Sequence, residues 1–69
     1  MRYIIVLDTN DGDFFQSLDK DRWCSALSIY KATPFQTRDE AKAVMEDLMI
    51  KSLYPRAVIQ AADASYFTA

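Results

Sequence analysis

Sixty-nine residues with ten acids against eight bases and a net charge of −2 make one domain, near the lower size at which a chain buries a core unaided. A lone cysteine, Cys24, and the absence of histidine exclude an internal disulfide and leave no ligand set for structural zinc. The acidic balance argues against direct nucleic-acid binding, which needs a basic surface.

An apolar fraction of 51% is too rich for a disordered chain. No apolar run approaches the ~20 residues that span a bilayer. The opening Tyr3, Ile4, Ile5, Val6 and Leu7 is too short for a secretory signal and has no small-residue cleavage site. A cytoplasmic protein without cofactor or membrane partner is the expectation.

Residues 2–8 form a β-branched apolar run, which predicts a strand in the middle of a sheet. Thr9, Asn10, Asp11 and Gly12 carry turn chemistry, and the return strand is predicted over 13–18. There Phe14 and Leu18 share one face, while Phe15 and Ser17 share the other. A polar loop at 19–22 follows, and Trp23 to Ser25 begin the next element. Residues 27–32 alternate, with Leu27 and Ile29 opposed to Ser28 and Tyr30, and predict a third strand ended by Pro34.

Thr37 and Glu40 form a capping box, with Asp39 and Glu40 in the first turn, where the helix dipole favours acids. Ala41, Val44, Met45, Leu48 and Met49 then follow the spacing of one apolar helical face. The helix is predicted over 38–52, because Tyr54 precedes Pro55 and is biased away from helical geometry. A last strand is predicted over 56–62. The result is an α+β fold, β-β-β-α-β, with a mainly antiparallel sheet and one amphipathic helix on one face. The expected strand order is 3-2-1-4, with the fourth strand parallel to the first.

Catalytic patterns are hard to find. Cys24 has no imidazole to activate it, and the acids fall in turns or on the helix exterior rather than in a cleft. The segment from Asp8 to Asp13 resembles a calcium loop, but Gly12 falls one position early and the closing Glu is missing, so it reads as a hairpin turn. One glycine excludes a phosphate loop. A non-enzymatic protein is expected.

Two features remain once the fold is built. The first is an acidic stretch, with Asp11, Asp13, Asp19 and Asp21 as candidate contacts; solvated turns are the plainer reading of the same residues. The second is aromatic: Phe15, Trp23, Tyr30, Tyr66 and Phe67 are not claimed by the helix interface. A sheet face left open by a single helix must meet the chain's own tail, a second copy in a homodimer, or another protein. All three remain open at this point.

The segment Tyr30-Lys31-Ala32-Thr33-Pro34-Phe35-Gln36-Thr37-Arg38-Asp39-Glu40-Ala41 resembles a recurring step, A-x-x-F-x-[TS]-x-[DE]-E-A, of small phage and prophage proteins. There a short sheet leads into a single helix and a final strand. The step covers about a sixth of the chain. The resemblance implies that the Phe and Ala pack where the chain enters the helix and that the Thr caps it. It also implies a mobile-element origin and, as function, a protein-binding inhibitor or modulator of a host protein, including anti-CRISPR action against defence nucleases. A structural or accessory subunit acting as a homo-oligomer is the alternative.

Overall fold

The computed structural model describes residues 1–9, 12–19 and 22–67, with the side chain of Asp19 outside that set. Four strands, β1 (Arg2–Thr9), β2 (Gly12–Asp19), β3 (Arg22–Ala26) and β4 (Val58–Ala62), form one sheet in the order β3-β2-β1-β4. Helix α1 (Arg38–Asp47) and the short α2 (Ile50–Leu53) follow one another between β3 and β4. The fold is α+β, and the strand order is the expected one.

β1 is central, and Ile4, Ile5, Val6 and Leu7 are all buried. Their alternation feeds two cores. Ile5 and Leu7 join Ala41, Met45, Ile50 and Ala57 under the helices, while Ile4 and Val6 join Ala32 and Ala62 on the far face. A strand apolar in both directions needs both covers.

The third strand differs from its prediction. β3 is Arg22–Ala26, five residues before the expected start, and residues 29–31 form a single 3-10 turn. Ser28 caps that turn by accepting the Tyr30 N–H at 3.2 Å, a local bond that competes with strand pairing. The alternation of Leu27 and Ile29 that suggests a strand belongs instead to a strap across the far face. In this strap Ile29 and Ala32 pack on Ile4 and Val6.

The chain then passes from the far face to the helix face beside the start of β1. The Thr33 N–H donates to the Gln16 carbonyl at 3.1 Å, and Thr33 Oγ1 accepts from the Leu18 N–H at 2.7 Å. Phe35 exchanges both backbone bonds with Tyr3, at 2.8 and 2.9 Å. Residues 33–35 therefore fill the gap that β2 leaves beside β1.

This strap overturns the expected direction of the last strand. β4 pairs antiparallel to β1, not parallel, from Arg2↔Ala62 to Val6↔Val58. The strap already carries the chain down the sheet after β3, so α1 climbs back up and β4 must descend. The first helical residue, Arg38, rests 5.2 Å over the Tyr3 ring and donates to the Ile59 carbonyl at 3.4 Å.

The capping box forms, one residue displaced on its return arm. Thr37 Oγ1 accepts from the Glu40 N–H at 3.2 Å, while the Glu40 carboxylate accepts from the Gln36 N–H at 3.3 Å. The helix predicted over 38–52 is broken. Met49 has φ 55 and ψ 40, the left-handed geometry common just past a helix end and usually held by glycine. α2 then restarts, and its Ile50 is buried under β1 while Met49 is exposed. Met49→Gly should relieve the left-handed strain and raise stability by about 0.5–1 kcal/mol; thermal denaturation that shows a loss instead would mean that the Met49 side chain holds the bend.

Candidate functional site

The described members of the acidic stretch, Asp13 and Asp19, stand apart. Asp13 lies opposite Asp8 near the β1–β2 turn, and Asp19 lies opposite Arg22 at the other end of β2. Six residue steps at about 3.3 Å separate Asp13 from Asp19 by about 20 Å. Asp11 and Asp21 lie outside the described residues. Asp8 pairs with Arg56 at 3.6 Å, so the β1–β2 end also carries a cation. Among the described residues no group of three or more acids or thiols could hold a metal ion, and no helix is long and apolar enough to cross a membrane.

The aromatic set divides between the two faces. Trp23 sits opposite Leu18, on the helix face, and stacks with Phe35 at 6.3 Å between ring centroids. It belongs with the helix-side cover, contrary to its expected place outside that interface. Phe15 packs half-buried against Ile4 and Val6 on the far face, with Ile29 and Phe67.

On the strap and tail the remaining aromatics meet. Residues 64–67 form a 3-10 turn directly after β4. Phe67 turns inward against the far-face core, and Tyr66 stands beside it with centroids 6.3 Å apart. Tyr66 also meets Tyr30 of the strap, at 5.6 Å and an interplanar angle of 57°. Aromatic rings tilted at this distance attract through their quadrupoles. Tyr30 is 67% exposed, Tyr66 41% and Leu27, earlier on the strap, 78%.

The tail therefore covers part of the far face, and the strap covers the rest. What projects to solvent is a ridge made by the covering segments themselves. Leu27, which its alternation places on a strand face, is exposed instead where the β-structure breaks at residue 27, beside Leu18, Cys24 and Lys31.

The tail turn is tied electrostatically. The Ser65 backbone N–H donates to the Asp63 carboxylate at 2.9 Å, and the Tyr66 N–H donates to the Asp63 carbonyl at 3.1 Å. The Ser65 backbone and then its side chain hold the Asp63 carboxyl below its ordinary value.

Cavities also mark the surface. A groove of about 710 Å³ runs between α1 and β4, lined by Arg38, Lys42, Met45, Glu46 and Met49 of the helix side and by Ala57, Val58 and Ile59. A smaller one of about 250 Å³ includes the buried Gln16, Trp23 and Tyr54. A third, of about 640 Å³, borders β3 and the strap at Cys24, Leu27 and Lys31. Comparison with family models, curated proteins and solved structures gave no match.

Two outcomes check this site. Phe67→Ala should cost about 1–2 kcal/mol because its ring seals a core, whereas Tyr66→Ala should stay within about 0.5 kcal/mol, as surface residues do; equal costs in chemical denaturation would mean that Tyr66 is structural. For Asp63, a depressed carboxyl stabilises the fold when ionised, above the ordinary carboxylate range near ~3.9. That contribution is lost as pH falls through the depressed folded value. NMR titration should place Asp63 below the ordinary range, and Ser65→Ala should move it part of the way back; an ordinary midpoint in the native chain would remove the tie.

Proposed function

We propose that the protein is a non-enzymatic binding module that recognises another protein through the ridge of Tyr30 and Tyr66. The observation that carries this reading is the pairing of exposure with fixation. Tyr30 and Tyr66 are exposed, yet each is held by the other's ring and by a cover segment whose Ile29 or Phe67 is packed in a core. Such rings lose little further entropy on binding, which is what makes aromatic side chains effective anchors at the centres of interfaces.

The class of partner follows from the resemblance of residues 32–41 to the step of small phage proteins. On that ground the proposed role is a phage-type inhibitor or modulator of a host protein, with anti-defence action, including action on CRISPR effectors, as one form of it. Nucleic-acid mimicry is the weaker route, since Asp13 and Asp19 stand at opposite ends of β2.

The test is quantitative capture from host lysate with the native chain and two variants. Tyr30→Ala should cost about 2 kcal/mol or more at a hot spot, roughly a 30-fold loss of affinity, with circular dichroism unchanged. Asp13→Asn should leave the captured protein in place. If Asp13→Asn abolishes capture while Tyr30→Ala does not, the acidic end is the contact and the ridge is not.

A further inference from the structure

We propose that the cavity between α2 and β3 binds a small, neutral, planar heterocycle of the adenine type, paired edge to edge with the Gln16 carboxamide. The argument starts at Gln16. It sits within β2 on the helix face, opposite Ser25 of β3, and is only 8% exposed. The buried core on that face is otherwise apolar, from Ile5 and Leu7 to Met45 and Ile50. An apolar side chain of the same length would fill the place without a polar cost, since burying an amide without a hydrogen bond is unfavourable.

The fold does not use that amide. The Gln16 backbone carbonyl accepts from the Thr33 N–H at 3.1 Å, but its side chain has no hydrogen-bond partner among the described residues. No sealed side-chain nitrogen or oxygen among those residues lacks a partner, so Oε1 and Nε2 of Gln16 both reach open space. That space is the cavity of about 250 Å³ that Gln16 lines.

The cavity grades from a closed floor to an open mouth. Leu7 and Ile50 are buried and form the floor with Gln16. Trp23, Leu48 and Tyr54 are half-buried and form the walls, while Ser25 and Leu53 are exposed at the mouth. The walls are held from behind. Trp23 stacks on Phe35, with ring centroids 6.3 Å apart. The Tyr54 N–H donates to the Ile50 carbonyl at 2.7 Å, and the Tyr54 carbonyl accepts from the Ala57 N–H at 2.9 Å. Rings fixed in this way take a flat guest at low entropic cost.

The lining also sets the chemistry of the guest. It contains no acidic or basic residue, so a phosphate or carboxylate would lose its hydration without gaining a counter-charge. A carboxamide presents an acceptor beside a donor. A guest that uses both at once needs a donor beside an acceptor on its own edge. Adenine has such an edge, and glutamine pairs with it through two hydrogen bonds. The volume falls below the ~300 Å³ at which sites for drug-sized molecules begin, which limits the guest to one fused ring system.

The test is titration of the full chain with adenine and with purine, which keeps the rings and lacks the amino group. Trp23 is the single tryptophan, so its fluorescence reports a guest against the wall, and the Gln16 side-chain amide signals in NMR report the pairing. Adenine should saturate both at or below about a millimolar. It should bind about tenfold or more tightly than purine, as one bidentate pair allows. Gln16→Met keeps the length and removes both polar atoms; it should stay folded by circular dichroism and lose the preference for adenine. Adenosine monophosphate should bind no more tightly than adenine. The absence of any saturable change at several millimolar adenine overturns the site. Equal affinity for adenine and purine, or a preference that survives Gln16→Met, overturns the pairing, and tighter binding of the monophosphate overturns the neutral guest. The ridge lies on the other face, and its capture assay reads different residues.

Discussion

The structure turns on the demand of β1 to be covered twice. Ile4, Ile5, Val6 and Leu7 are consecutive, fully apolar and central in the sheet, so their side chains point alternately into two separate cores. A single helix can satisfy Ile5 and Leu7. Exposing Ile4 and Val6 would forfeit roughly 1.5–3 kcal/mol each, a large fraction of what a domain this small has in hand. The chain answers with a second cover built from the strap and the tail. The strap brings Ile29 and Ala32, and the tail brings Phe67.

This requirement explains the topology. To cover the far face and then supply the helix, the chain must change sides, and it does so at residues 33–35. Thr33 and Phe35 supply bonds to Gln16, Leu18 and Tyr3 that a neighbouring strand would otherwise make. Pro34, which lacks an N–H, sits between these two bonded residues. The added traverse reverses the direction of everything after it, and β4 ends antiparallel to β1.

Much of this is legible in the residues. The centrality of β1 follows from its apolar run, the first hairpin from Thr9 to Gly12, and the helix start from Thr37 and Glu40. The α+β class and the strand order follow from these. The strap is not legible, because Leu27, Ser28, Ile29 and Tyr30 alternate as a strand does. The deciding bond, Ser28 to the Tyr30 N–H, is one that period-2 patterning does not encode. The helix break at Met49 is hidden for a related reason: Met49 fits the apolar helical spacing, and only the packing of Ile50 beneath β1 makes the left-handed turn worthwhile. Among the candidate site residues, the division of the aromatics between the faces depends on the true position of β3. Once β3 begins at Arg22, Trp23 falls opposite Leu18 and joins the helix side.

Covering segments of this kind have a consequence for recognition. A residue on the strap or tail is fixed by what its neighbour buries, so Tyr66 is positioned because Phe67 is packed, and Tyr30 because Ile29 is. On the proposed function, changes to the inner member of each pair should alter stability and binding together, whereas changes to the outer member should act on binding alone. The α1–β4 groove is built differently. Lys42 and Glu46 stand on the exposed side of a helix whose opposite side, through Ala41 and Met45, is already anchored.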